Sequence, residues 1–317
     1  MNKSILLASV AILITLTACT SGRRERASFG DMASSAQHQT ASIQVGSLTR
    51  TFRWYAPKSN TTVQRLPIVV LLHGGGRASS GAIIGNMTQA AGGFDAFAEQ
   101  KGIIAIYPDA LGGNWNDGRE TIQHKNDDVS FIIAAIDYVA KVNHGDLNRV
   151  FVAGISNGGM MAQRIACDAP QKVSAIAVVA SALPRALANA CQTNISMPVV
   201  FLTGDADPLV PFNGGQVKAG LGGDMLSAAA TVHFWATKNA ATFQATRKIP
   251  DTDPNDGTTT SVDIYLAKGK VAVAFYRIAG GGHTWPGGLQ YAPRILIGNV
   301  ARDFSGNQAI WDFFVGR

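Results

Sequence analysis

The sequence has little charge, little cysteine and no metal or phosphate signature. Charged residues make up 15% of its 317 positions, below the roughly 25% of an average soluble domain. The three cysteines include no C-x-x-C pair, and none of the six histidines falls in an H-E-x-x-H spacing. No metal centre is therefore expected. Neither G-x-x-x-x-G-K-[ST] nor a G-x-G-x-x-G following a strand occurs, so no nucleotide cofactor is expected either. Although the net charge is +6, Lys and Arg are scattered apart from Arg23, Arg24 and Arg26, which argues against nucleic-acid binding. No internal repeat appears.

The hydrophobic content of 46% can fill one large core, and no shift in composition divides the chain. The N-terminus carries Lys3, an apolar run from Ile5 to about Leu16, and then small residues, the build of a secretory signal over 1–18. That run is too short for a comfortable membrane span. Leu16-Thr17-Ala18-Cys19 resembles a bacterial lipobox, so lipid is expected on Cys19, with residues 19–40 as a polar tether to a membrane. An exported protein is expected, membrane-anchored or secreted, with one catalytic domain over 41–317. With Cys19 lipidated, the even remainder in an oxidising exterior predicts a disulfide between Cys167 and Cys191.

Continuous apolar runs predict buried strands at Pro67–Leu72, Ile103–Tyr107, Val150–Ala153, Ala175–Val179, Val199–Leu202 and Val271–Ile278. An opening pair is expected at Ser42–Val45 and Thr51–Tyr55. Helical patterns fall at Thr88–Glu99, Asp128–Val142, Asn157–Asp168, Ser227–Lys238 and Gln308–Val315. This alternation predicts an α/β class, a mostly parallel central sheet flanked by helices. Ligands of such sheets bind beyond the carboxyl ends of the strands.

Four polar clusters follow strands there: His73 to Gly76, Gly154 to Gly158, Gly204 to Asp207, and Gly280 to His283. Gly154-x-Ser156-x-Gly158 between a strand and a helix has the form of a nucleophile elbow. A serine hydroxyl needs a base, and His283 alone follows the last long strand. The imidazole in turn needs a carboxylate. Asp205 and Asp207 both qualify, and Asp207 is preferred because it lies further past the strand and precedes Pro208. An oxyanion needs N–H donors, expected from Asn157 and from Gly75, with Gly76 in reserve. His73 is expected to brace that loop, and Asp127 and Asp128 to serve the start of a helix.

Leu71-Leu72-His73-Gly74, Tyr107-Pro108-Asp109, Trp115-Asn116, Asp127-Asp128-Val129, Gly154 to Met160, Asp207 to Pro211 and Gly282 to Gly287 occur in that order. Together they resemble the polyhydroxybutyrate depolymerase family of esterases, which also includes feruloyl and acetylxylan esterases. The resemblance runs from about Ser42 to the C-terminus. It implies an α/β-hydrolase fold, a triad of Ser156, Asp207 and His283, an ester substrate, and Trp115 and Trp285 as walls of the cleft. Relatives that degrade solid polyester often carry a further binding module. None follows the closing helix here, so short-chain or polysaccharide-linked esters are expected above polyester film. A depolymerase proper, a peptidase and a non-catalytic surface protein on the same fold are the alternatives.

Overall fold

The computed structural model describes residues 38–58, 64–76, 80, 81, 84, 85, 88 and 93–316. Cys19, the expected signal and the tether up to residue 37 lie outside them. The tether, expected to reach residue 40, gives way to strand β1 (Gln39–Val45), which pairs antiparallel with β2 (Leu48–Tyr55).

Strands β3 (Leu66–Leu72), β4 (Ile104–Pro108), β5 (Gly145–Ile155), β6 (Ala175–Val179), β7 (Val199–Gly204) and β12 (Lys270–Ala279) run parallel to their neighbours in this central set. β10 (Thr242–Lys248) and β11 (Thr259–Ala267) extend the far edge antiparallel, giving a ten-stranded order β1-β2-β4-β3-β5-β6-β7-β12-β11-β10. β8 (Gly215–Gln216) and β9 (Asp224–Met225) form a separate hairpin. This is the α/β-hydrolase arrangement.

The parallel strands are buried on both faces, and their period-2 alternation sorts side chains into two cores. In β3, Ile68, Val70 and Leu72 face one core, shared with Phe131, Trp115 and Trp235. Val69 and Leu71 face the other, with Phe97, Phe151, Trp285 and Phe314. Helices α2 (Asp128–Asn143), α3 (Asn157–Asp168) and α5 (Ala228–Lys238) cover the first face. α1 (Gly93–Lys101) and α7 (Gly306–Val315) cover the second. The helix expected over 88–99 is described from Gly93 onward.

Caps set the helix starts. Asp127 accepts from Ser130 N at 2.9 Å ahead of α2, and Ser305 accepts from Gln308 N at 3.3 Å ahead of α7. Asp128 does more than complement a helix dipole. It is fully buried, ion-paired with Arg50 at 2.6 Å, and accepts from Asn116 N at 2.7 Å. Cys167 at the end of α3 and Cys191 after α4 (Arg185–Ala190) form the expected disulfide. Closing a loop of that length contributes roughly 3 to 4 kcal/mol in the chain-entropy model. It ties the helix that follows Ser156 to the approach of β7.

Candidate active site

The end of β5 runs directly into α3 through Ser156, which sits at φ 57, ψ −123. Such a conformation costs a non-glycine residue about 1 to 3 kcal/mol and persists only where the surroundings fix it. Here Ser156 N donates to Val179 O at 2.9 Å, while Ser156 O accepts from Met160 N at 3.0 Å and Ser181 Oγ at 2.9 Å. The flanking glycines are needed for space. A Cβ at Gly154 would lie 2.3 Å from the carbonyl of Gly158, and one at Gly158 would lie 2.3 Å from Leu72 O. Ser156 occupies the cap position of α3 yet makes no side-chain capping bond. Its hydroxyl is thus left to the cavity that it lines.

On the loop after β12, His283 lines the same cavity. Its Nδ1 lies 2.7 Å from Asp207 Oδ2, and both side chains are buried. The other carboxylate oxygen, Asp207 Oδ1, accepts from Leu209 N at 2.8 Å and Val210 N at 2.9 Å, so the loop after β7 fixes the carboxylate from behind. With Nδ1–H donated to Asp207, Nε2 is the nitrogen free to accept a proton. Asp205 is engaged elsewhere, accepting from Gly280 N at 2.8 Å and pairing with the half-exposed Arg277 at 3.2 Å. Tyr291, which no motif marked, donates to His283 O at 2.9 Å and lines the cavity. Burial first, and the Asp207 charge second, hold its hydroxyl well above the usual phenol range.

Facing Ser156 is the turn after β3. Gly75 borders the cavity, and a Cβ there would lie 2.6 Å from Asn114 Oδ1. Gly76 is already engaged, its N–H donating to Gly113 O at 3.0 Å. Asn157 is the first residue of α3, so its N–H has no partner within the helix and lies at the positive end of the helix dipole. His73 braces the turn. Its Nδ1 donates to Gly74 O at 2.7 Å and its Nε2 accepts from Ala110 N at 3.1 Å. The second bond requires a neutral ring, and burial lowers the His73 pKa below its ordinary value.

The expectation that Trp115 and Trp285 wall the cleft needs correction. Both are buried, and neither lines the cavity. Trp115 packs beneath the turn, donating Nε1–H to His73 O at 3.0 Å, and Trp285 lies in the opposite core, donating to Asn307 Oδ1 at 3.0 Å. An indole buried with its N–H satisfied is a core residue. The walls are instead Met160, Leu209, Val210, Val217, Leu221 and Ile297, around a cavity of about 310 Å³. That volume suits a small ligand. Arg119 also reaches the wall. Only its exclusion from the surface could have marked it, and that is visible only in three dimensions.

The prolyl oligopeptidase family profile matches residues 95–184, the stretch that includes the elbow. NocK of Nocardia uniformis subsp. tsuyamanensis, named as an esterase, is 29% identical over 86% of this chain and 81% of its own length. A poly(3-hydroxybutyrate) depolymerase of Ralstonia pickettii is 28% identical over 45% of this chain and 31% of its own. Among solved structures, an acetyl xylan esterase from Aspergillus awamori superposes with a TM-score of 0.57 at 16% identity, covering 87% of this chain and all of that one. The last likeness shows the fold. The first two sequence relatives agree with the resemblance that the ordered motifs carry.

Proposed function

We propose that this protein is a serine carboxylic-ester hydrolase acting through an acyl-enzyme, with Ser156 as nucleophile, His283 as base and acid, and Asp207 orienting the imidazole. The observation that carries this reading is the 2.7 Å contact between His283 Nδ1 and the buried Asp207 carboxylate, beside a cavity that Ser156 also lines. As Ser156 Oγ attacks the ester carbonyl carbon, His283 Nε2 takes its proton and Asp207 stabilises the imidazolium. The carbonyl π pair moves to oxygen, which the N–H groups of Asn157 and Gly75 receive. Collapse breaks the carbon–alkoxide bond, and the alkoxide leaves with the proton from His283. Water then repeats the sequence on the acyl-enzyme and returns Ser156.

Short-chain esters, or esters pendant on soluble polysaccharide, suit a small cavity with apolar walls. A second reading, depolymerisation of solid polyester, is favoured by Ile295 and Leu296, which are 90% and 58% exposed beside the wall residue Ile297. The prolyl oligopeptidase match favours a third, peptidase activity. Initial rates on aryl acetate, aryl butyrate, methyl ferulate, acetylated xylan, polyhydroxybutyrate film and a peptide amide separate the three. The soluble esters should lead. Rapid clearing of film with little action on them indicates a depolymerase, and amide cleavage above ester cleavage indicates a peptidase. Ser156→Ala should lose about a million-fold in turnover. Unchanged activity in that variant would sink the mechanism.

The proposal extends to location: residues 1–18 direct export and Cys19 carries lipid that holds the enzyme at a membrane. Detergent partitioning of the native protein and mass spectrometry of its N-terminus test this. An unmodified mature N-terminus at any other residue rejects the anchor.

A further inference from the structure

The segment after Trp115 carries two charges that are almost wholly inaccessible, Asp117 at 0% exposure and Arg119 at 6%. Arg119 Nε and Nη2 both lie 2.9 Å from Asp117 Oδ2. Removing an ion pair from water costs more than its attraction returns unless further groups complete the geometry. Here those further groups belong to two separate parts of the site.

On the Asp117 side, Oδ2 accepts from Asn157 Nδ2. The same amide donates to Trp115 O at 3.2 Å, and its Oδ1 accepts from Trp115 N at 2.8 Å. The Asn157 side chain is therefore committed on every side. Its use is to fix the first turn of α3, and with it the backbone N–H that faces the reacting carbonyl.

On the Arg119 side, Nη1 donates to Gly222 O in the loop 217–223, which joins β8 to β9. The stem of Arg119 fills the space against Gly223, where a Cβ would lie 2.6 Å from Arg119 Cδ and where φ is 107. Glu120 Oε1 accepts from Asp224 N at 2.8 Å, holding the same end of that loop where it enters β9. Val217 and Leu221, at its two ends, line the cavity, as does Arg119.

We propose that Asp117 and Arg119 are positioning residues that join the oxyanion donor Asn157 to the loop 217–223, so that the seating of an acyl group against Leu221 and the alignment of the donor are one coupled arrangement. The proposal rests on the esterase reading above. It predicts that substitutions in the pair act on the chemical step, and that a change in the loop acts on it too, through a guanidinium the substrate need not touch.

The test compares wild type, Asp117→Asn, Arg119→Met, Arg119→Lys, the double variant Asp117→Asn/Arg119→Met, and Gly223→Ala, which leaves both charges in place. Active sites are titrated with a fluorophosphonate so that only folded enzyme is counted, and kcat and KM are measured on aryl acetate and aryl butyrate. Each single change in the pair should lower kcat about 10- to 100-fold, the scale of a misplaced catalytic group, while KM for acetate stays within about twofold. The double variant should be no worse than its worse parent by more than about twofold, because both parents break one unit. Arg119→Lys should not rescue, since one ammonium cannot bridge Asp117 and Gly222 as the fork does. Gly223→Ala should lower kcat on both esters and raise KM for butyrate.

Unchanged kcat in the titrated single variants, multiplicative losses in the double, or full rescue by lysine overturns the coupling. If a variant in the pair yields no titratable sites, Gly223→Ala decides alone: a KM effect without a kcat effect overturns it. Wild-type turnover and its loss in Ser156→Ala report on the esterase reading independently of all these outcomes.

Discussion

Across the cavity, two banks contrast. Around Ser156, the residues His73, Trp115 and Asn157 are 0 to 3% exposed, with the Asn157 side chain bonded to the Trp115 backbone, the Trp115 indole to the His73 backbone and the His73 ring to the Ala110 backbone. Opposite them, Leu221 is 43% exposed on its loop, and Ile295 and Leu296 stand out from the four-residue helix α6 (Arg294–Ile297). The first bank is over-determined, as a site must be if its donors are to be set before the reaction begins. The second presents exposed apolar side chains, and its loop is anchored to the first through Arg119. Changes on the buried bank should therefore appear in kcat, and side-chain changes on the exposed bank that leave the Arg119–Gly222 anchor in place should appear in KM.

Asp207 and Asp205 give the sharpest test, because these carboxylates two residues apart fall on opposite sides of that division. Asp207 is buried with both oxygens committed, whereas Asp205 pairs with a guanidinium that is 54% exposed. Asp207→Asn should lower kcat by about 10⁴, since an amide can no longer hold the tautomer that leaves Nε2 as acceptor. Asp205→Asn should lie within severalfold of wild type. A larger loss at Asp205, measured with aryl acetate at saturation, reverses the assignment of the acid.

On the exposed bank, Leu221→Ser removes part of an apolar wall of the cavity, against which a longer acyl chain is expected to lie more fully than an acetyl group. A fully buried leucine is worth about 1.5 to 3 kcal/mol. For a side chain roughly half exposed, about 1 kcal/mol is the expected scale, or roughly fivefold in kcat/KM for butyrate. Acetate should barely respond. An equal loss on both esters breaks the contrast between the banks.

What is legible in the sequence follows the same physics. Strands buried on both faces read as unbroken apolar runs, and the polar residues just past their ends carry the proposed triad and oxyanion turn. β10 leaves no mark because nearly every residue of Thr242–Lys248 is exposed at a sheet edge, with no alternation to see. β11 buries only part of one face. Resemblance draws the two tryptophans to the cleft, but their N–H groups find partners in two separate cores. Asp117 and Arg119 look like surface residues in a linear reading. Their role depends on Gly222, more than a hundred positions away.

The smallest expected effect concerns His73, on the buried bank. Its ring must donate from Nδ1 to Gly74 O and accept at Nε2 from Ala110 N, and a proton on Nε2 abolishes the second bond. Burial lowers its pKa from the ordinary value of 6.5. The unfolded chain therefore binds this proton more readily than the folded one, so the contribution of His73 is fully present above pH 6.5 and declines as the pH falls below it. One proton sets the slope at no more than about 1.4 kcal/mol per pH unit. Urea unfolding of wild type and His73→Asn between about pH 7.5 and 5 isolates that contribution, because every other titrating group is common to both proteins. The wild-type midpoint should fall more steeply with acid than that of the variant, and activity per folded molecule should fall with it as the turn bearing Gly75 loosens. Parallel curves, or a steeper one for the variant, mean that the turn tolerates a charged ring. The buried bank would then be less rigid than its hydrogen bonds imply.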